Sequence, residues 1–282
     1  MRVLVTGAGG QLGQDLVRTC TQAGDEVLAC DRDRLDLADR DSVLGAITSA
    51  APDVVVNAGA WTAVDACEAD PDRAWRTNAL GVRWVSDAAR RVGAHVVHVS
   101  TDYVFDGTKD GPYLEWDEPN PRSAYGRSKL GGEREVDPSA TVVRTSWVCG
   151  AHGHNMVKTV LGLADRPELA FVDDQRGSPT FTADLARVVR RLAVDRAPGT
   201  WHVTNQGETS WYGFVRDVLE LAGHDPAKVR PISTAELDPP RPAPRPANSV
   251  LDNAALRLSG FPLLRHYREA LAELLAELGA VG

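Results

Sequence analysis

In the stretch Ser123-Ala-Tyr-Gly-Arg-Ser-Lys129, a tyrosine stands four places before a lysine, in a chain whose other lysines are Lys109, Lys158 and Lys228. On a helix that spacing stacks the two side chains on one face. A phenol is a weak acid at neutral pH, with a reference pKa of about 10, and an ammonium one turn away lowers it electrostatically. Such a pair can hand a proton to an alkoxide as it forms. Carbonyl reduction needs this proton donor, a hydride donor, and a fixed dipole to hold the carbonyl oxygen. The same spacing is also a routine helix-surface contact, so the surrounding sequence decides between the two.

The run HVVHVS reads as a strand that releases Ser100-Thr101-Asp102-Tyr103 at its carboxyl end, the edge where ligands sit in doubly wound sheets. Thr101 is the candidate for polarising a carbonyl. Near the start of the chain, VTGAGGQLG lies between a strand and a helix. Gly7, Gly10 and Gly13 form G-x-x-G-x-x-G, with Gln11 and Leu12 inside it; Leu12 stands where G-x-G-x-x-G would place its last glycine. A loop of this kind lets the backbone approach a pyrophosphate, and the helix N-terminus adds amide donors and positive dipole.

Asp31 ends the second strand at about the spacing (~20 residues) of an acid that binds an adenosine ribose. It favours the 2′-hydroxyl of NADH, whereas the adjacent Arg32 suits the 2′-phosphate of NADPH, and both cofactors stay open. Asp36 and Leu37 follow where an adenine edge would lie. Ala58-Gly59-Ala60, after the strand ending in Asn57, is a small-residue loop suited to close approach by a flat cofactor.

These groups need elements to position them. RVLVT, EVLAC, DVVVN, HVVHVS and ATVVR are strand-sized apolar runs separated by segments of helical period. The helices are expected at 11–22, 40–50, 71–91, 123–135, 155–164, 182–194, 211–222 and 264–278, with Asp70 capping the third and Gly93 ending it. The alternation predicts an α/β fold, a Rossmann-like doubly wound parallel sheet with a smaller C-terminal substrate-binding lobe. The boundary is placed at 1–148 for the NAD(P)-binding domain and 149–282 for the lobe, with later segments returning to the first. DPPRPAPRPAN, around 237–246, should be an extended crossing segment, because proline lacks a donor and fixes φ.

With 43% hydrophobic and 25% charged residues, the 282-residue chain reads as a soluble globular protein. A net charge of -8 argues against nucleic acid as a partner. The apolar runs fall far short of the ~20 residues of a membrane span, and the strand beginning at Arg2 leaves no room for a signal peptide, so a cytoplasmic location is expected. Cys20, Cys30, Cys67 and Cys149 lack zinc or redox spacing and read as small buried hydrophobes.

In this order, the glycine loop, Thr101 and Tyr125-Gly-Arg-Ser-Lys129 resemble the extended short-chain dehydrogenase/reductases. NAGAWTAVDACE at 57–68, STDYVFDG at 100–107, RTSWVCG at 144–150, DDQRGSPT at 173–180 and RPANS at 245–249 resemble, more narrowly, their dTDP-4-dehydrorhamnose reductase branch. The likeness spans essentially the whole chain. It implies reduction of the 4-keto group of a dTDP-6-deoxyhexulose by NADPH or NADH to give dTDP-L-rhamnose. Tyr125 would then be the proton donor, Lys129 its pKa modulator and ribose ligand, and Thr101 the hydroxyl that orients the keto oxygen. Asp102, Tyr103 and Trp147 would line the sugar site, with Thr62 and Val64 beside them; Trp147 is equally a core residue by type. Related 4,6-dehydratases place Asp-Glu after the threonine. Here Asp102 is followed by Tyr103, which fits simple ketone reduction. Arg176 and Arg245 are candidate diphosphate partners. Some members carry a magnesium-binding glutamate cluster; Asp15 and Asp184 lack matching partners, so no metal is expected. The sequence allows a homodimer and leaves the oligomeric state open. Two rivals remain: another dTDP-4-keto-6-deoxysugar 4-ketoreductase, and a nicotinamide-binding regulatory subunit without turnover.

Overall fold

A computed structural model describes residues 1–280. The valine-rich runs become strands that are covered on both faces, as β-branched residues in a parallel sheet should be. β1 (Arg2–Thr6), β2 (Glu26–Cys30), β3 (Val54–Asn57), β4 (His95–Thr101), β5 (Thr141–Thr145) and the strand Gly199–His202 form one six-stranded sheet. All its pairings are parallel, and from one edge to the other the order is β2, β1, β3, β4, β5, then Gly199–His202. The chain reverses its direction of travel across the sheet between β1 and β3, where Thr6 pairs in register with Asn57. That reversal opens a crevice at the carboxyl ends of the strands.

Side-chain alternation decides which helices cover which face. Val3 and Val5 join a core with Leu16 of α1 (Gln11–Gln22) and Leu185, Val189 and Leu192, while Leu4 and Val55 face Val43 and Ile47 of α2 (Arg40–Ala50) on the other side. Each such fully buried aliphatic side chain contributes about 1.5–3 kcal/mol.

After β3 come α3 (Val64–Ala69), α4 (Pro71–Trp75) and α5 (Gly81–Val92). Asp70 caps α4, accepting the Arg73 N–H at 3.0 Å, and Gly93 ends α5 with φ 71°. The single helix expected over 71–91 is instead interrupted by a π-helical turn at Arg76–Leu80. The side chain of Asn78 in that turn clasps the Trp61 backbone, its Oδ1 2.8 Å from the N–H and its Nδ2 3.0 Å from the carbonyl. π turns of this kind frequently mark functional sites.

Beyond β4 lie α6 (Ala124–Glu133), α7 (Met156–Gly162), α8 (Thr182–Asp195) and α9 (Trp211–Leu221). The chain after residue 148 divides between two cores. α8, Trp201, Leu256 and Leu264 belong to the sheet, whereas α7, α9 and the last helix, Tyr267–Glu277, gather around Phe214 in a smaller lobe. Leu169–Val172 and Val229–Ile232 pair in parallel there. Residues 237–246 form neither helix nor strand, and they run mostly exposed toward α3. All four cysteines are buried and unpaired. Among the described residues, no helix is long and apolar enough to cross a membrane.

Candidate active site

β4 delivers Thr101 to the crevice and then turns sharply. Thr101 Oγ1 accepts the Tyr103 N–H at 3.2 Å and donates to Asp102 Oδ1 at 2.9 Å, so one hydroxyl both caps the turn and is oriented by a carboxylate. Asp102 is 2% exposed, and burial pushes its carboxyl up to about 6 despite hydrogen bonds that favour the charge.

α6 brings Tyr125 and Lys129 to the same place. Ser123 caps it, accepting the Gly126 N–H at 3.0 Å, and Glu68 of α3 takes the Ala124 N–H at 2.6 Å. A Cβ on Gly126 would stand 2.2 Å from the Tyr103 carbonyl oxygen. Glycine there lets α6 press against the turn after β4, and Tyr125 then meets Tyr103 edge-on, ring centres 5.7 Å apart. Burial raises the Tyr125 phenol above its usual value, the Thr101 hydroxyl draws it back, and Asp102 pushes it further up. Lys129 is 2% exposed; its Nζ donates to the Val99 carbonyl at 2.7 Å and lies 3.4 Å from His98 Nε2. Burial lowers its ammonium to about 8, against the pull of Glu133. Glu133 is itself held by Arg144 at 2.7 Å and by Ser100 Oγ at 2.5 Å. The structure thus gathers Thr101, Tyr125 and Lys129 on one buried wall of the crevice.

The glycine loop forms the neighbouring wall. A Cβ on Gly7 would meet Gly59 Cα at 2.6 Å, and one on Gly13 would meet the Gly7 carbonyl oxygen at 2.1 Å, so the loops after β1 and β3 and the start of α1 interlock only as glycines. Gly10 is the N-cap of α1 and offers no side-chain oxygen, which leaves the first amides of the helix to an outside acceptor. The Leu12 side chain packs in the core, and Gln11 points to the lobe, its Oε1 accepting Asn155 Nδ2 at 3.0 Å. A cleft of 180 Å³ runs from Gly7 and Gly59 past Ala60 to Leu37, Asp36 and Arg32. Arg32 lies 3.6 Å from Asp36. Asp31 lies outside that cleft, in the adjoining groove with Gly9 and Gln14, where its Oδ1 accepts the Arg34 N–H at 3.2 Å. Ala58 lies half-buried against the main core. A glycine cradle, uncapped helix amides and a flat cleft with an arginine at its end fit a dinucleotide.

Trp61, Arg73 and Thr77, which no sequence signal marked, line the same cleft. The Arg73 guanidinium lies over the Trp61 ring, 4.4 Å from its centre. Arg73 and Thr77 share a helix face by their spacing, but nothing in the sequence says that the face turns to β1.

On the substrate side, Trp147 adopts a left-handed backbone, φ 47°, unusual for a bulky residue. Its ring stacks on Trp211 at 3.6 Å and fills the space that a Cβ on Gly177 would take, so it roofs the lobe's core. Val64 packs with Tyr103 and Tyr125, and Thr62 is exposed beside them. Arg245 and Arg176, the two candidate diphosphate partners, are separated in role. Arg245 is forked onto Asp65 at 2.6 and 2.7 Å, and Arg176 pairs with Glu208.

The family model described as RmlD substrate binding domain matches residues 1–280. The chain belongs to this family. It is 44% identical to the spore coat polysaccharide biosynthesis protein SpsK of Bacillus subtilis, over 98% of this chain and 97% of that one. It is 43% identical to a dTDP-4-dehydrorhamnose reductase of Streptomyces griseus, over 96% and 92%. Among solved structures, a dTDP-4-dehydrorhamnose reductase from Clostridium acetobutylicum superposes with a TM-score of 0.95 at 43% identity, covering 99% of this chain and 100% of that one. A second, from Bacillus anthracis in complex with NADP, gives 0.93 at 36%, covering 98% and 99%. The resemblance drawn from the sequence blocks, the Rossmann-like sheet and the nicotinamide-dependent reductase class all stand.

Proposed function

We propose that this chain reduces the 4-keto group of dTDP-4-dehydro-L-rhamnose to give dTDP-L-rhamnose, with NADPH or NADH as hydride source. The observation that carries the reading is the convergence of Thr101, Tyr125 and Lys129 on one buried wall beside the glycine cleft. It is supported by relatives that carry the reductase name over nearly their whole length. When bound, the nicotinamide supplies the hydride. Tyr125 gives its phenolic proton to the oxygen that becomes the alkoxide, and Thr101 orients that oxygen. The Lys129 ammonium lowers the cost of the phenolate electrostatically and offers a donor to the ribose. Gly7, Gly10, Gln11, Leu12, Gly13, Ala58, Gly59 and Ala60 provide backbone contacts to the dinucleotide, and Asp36 and Leu37 an adenine edge. Asp102, Tyr103, Trp147, Val64 and Thr62 surround the sugar.

Arg32 lines the cleft beside Asp36 and Leu37, whereas Asp31 lines the adjoining groove, which favours NADPH. Arg32→Ala should therefore weaken NADPH at least ~10-fold more than NADH in equilibrium titrations, the scale of one charge-assisted phosphate contact. Equal weakening would return the choice to Asp31. Four buried, unpaired thiols suit a reducing compartment, which supports the cytoplasmic location expected from the sequence.

The test follows nicotinamide absorbance with the keto sugar generated in place and identifies the product. Tyr125→Phe should lower turnover about 10²–10⁴-fold and leave cofactor affinity intact. Turnover of the wild-type protein to a different sugar epimer would favour the rival 4-ketoreductase. Cofactor binding with no turnover would favour the regulatory subunit.

A further inference from the structure

One buried chain of polar groups behind the catalytic wall is not used by this mechanism. It begins at a backbone N–H that cannot turn over: Gly59 N–H donates to Thr6 Oγ1 at 3.1 Å. Thr6 is fully buried, and its own hydroxyl proton finds its acceptor 2.6 Å away at Asn57 Oδ1. Were the Asn57 amide reversed, the threonine proton would lose that acceptor and be left buried without a partner, so the amide orientation is fixed. Its Nδ2 then faces His98 Nδ1 at 3.0 Å. An amide NH₂ has only protons to give, so Nδ1 accepts and the imidazole proton sits on Nε2. That nitrogen is the one 3.4 Å from Lys129 Nζ.

We propose that His98, with its imidazole proton held on Nε2 by the chain Gly59, Thr6 and Asn57, is a positioning residue that poises Lys129 between ammonium and amine. The inference rests on the role given to Lys129 above and goes beyond it. An Nε2–H opposes an ammonium, which has no lone pair, and hydrogen-bonds to an amine, which has one. His98 therefore disfavours the charged lysine, as burial does; burial and the neighbouring Lys129 also keep the imidazole neutral, well below its usual range. The groups opposing it are Glu133 from the same helix, which favours the ammonium while tied to Arg144 of β5, and the Val99 carbonyl of β4. The π turn packed on α6 presents Asn78, which is uncharged, and Tyr125 is neutral on the same helix. A lysine so balanced changes its charge near neutral pH, and with it the electrostatic support that it gives the Tyr125 phenolate.

The test has two arms. In the wild-type protein, ¹⁵N spectra of labelled imidazoles, assigned through the backbone, should show His98 as the neutral Nε2–H tautomer from about pH 6 to 9, since its pKa is depressed below that range. The Nδ1–H tautomer, or a titration inside that window, would overturn the proposal. In His98→Gln the free amide can turn its oxygen to Lys129 and favour the ammonium. The alkaline midpoint of kcat/KM should then rise by about one pH unit. A midpoint that stays or falls would overturn the poising role. The spectra need no variant, so a misfolded glutamine variant leaves the first arm decisive. The Tyr125→Phe experiment fails or succeeds independently of both arms.

Discussion

Gly126 sets where Tyr125, the proposed proton donor, stands against the turn after β4. The Tyr103 carbonyl oxygen occupies the space of any side chain there, at 2.2 Å from an ideal Cβ. Gly126→Ala must push α6 away from the turn after β4, and overpacking of this kind costs about 1–3 kcal/mol. Because Tyr125, the proposed proton donor, sits one residue away, kcat should fall by about 10²-fold, the scale of a 1 Å misplacement, with NADPH affinity little changed. Unchanged kcat in a folded Gly126→Ala protein would show that α6 has slack. Tyr125, Lys129 and Thr101 were legible in the sequence as candidates, because their types and spacing are local. His98 and Asn78 were not, because a buried histidine or asparagine acquires its role only from partners on other elements, here Asn57 and Lys129, Trp61 and Ser128.

Between elements, the informative contact is the proline-rich segment lying on α3. Its composition announced an extended crossing piece, but only the fold shows what it crosses. Asp65 takes the Ala243 N–H at 3.1 Å and the Arg245 fork, with Arg241 3.6 Å away, beside the Tyr103 phenol. The Arg245 hydrogen bonds hold the Asp65 carboxyl down to about 2, against some burial. A carboxylate with its folded pKa depressed adds stability above its unfolded pKa of about 4 and loses it as pH falls toward the folded value. For a partly exposed pair the contribution is about 1 kcal/mol. Asp65→Asn should therefore unfold at a lower temperature than wild type at pH 6, and the gap should close between about pH 4 and 2. A gap independent of pH would mean that the Ala243 N–H, not the arginine, supports the segment. The same contact explains why Arg245 was hard to assign from sequence: a guanidinium near a diphosphate site can serve either a phosphate or a neighbouring carboxylate, and Asp65 lies about 180 residues away in the chain.

At the scale of the whole molecule, the alternation of apolar runs and helical segments foretold the parallel sheet, because strands covered on both faces must read as unbroken Val and Leu. What it left undetermined was how the chain after residue 148 divides, since α8 and α9 have similar amphipathic patterns and only packing sends one to the sheet and the other to Phe214. The two cores communicate at a definite point. Asn155 caps α7 through its Oδ1, while its Nδ2 bridges Gln11 Oε1 at 3.0 Å and the Gly150 carbonyl at 2.8 Å. Gln11 is the first residue of α1, directly after the uncapped glycine turn where a pyrophosphate would sit. Cofactor binding should therefore be felt in the lobe. At 100 times its Kd, NADPH adds about 2.7 kcal/mol to the stability of the state it binds. If Gln11 and Asn155 carry the coupling, NADPH should slow amide exchange in α7 as well as in β1 and α1. Gln11→Ala should keep the slowing in β1 and abolish most of it in α7. Protection of α7 that survives in Gln11→Ala would place the coupling instead in the packing of the strand Val148–Cys149 against α1, an apolar route that the substitution leaves whole.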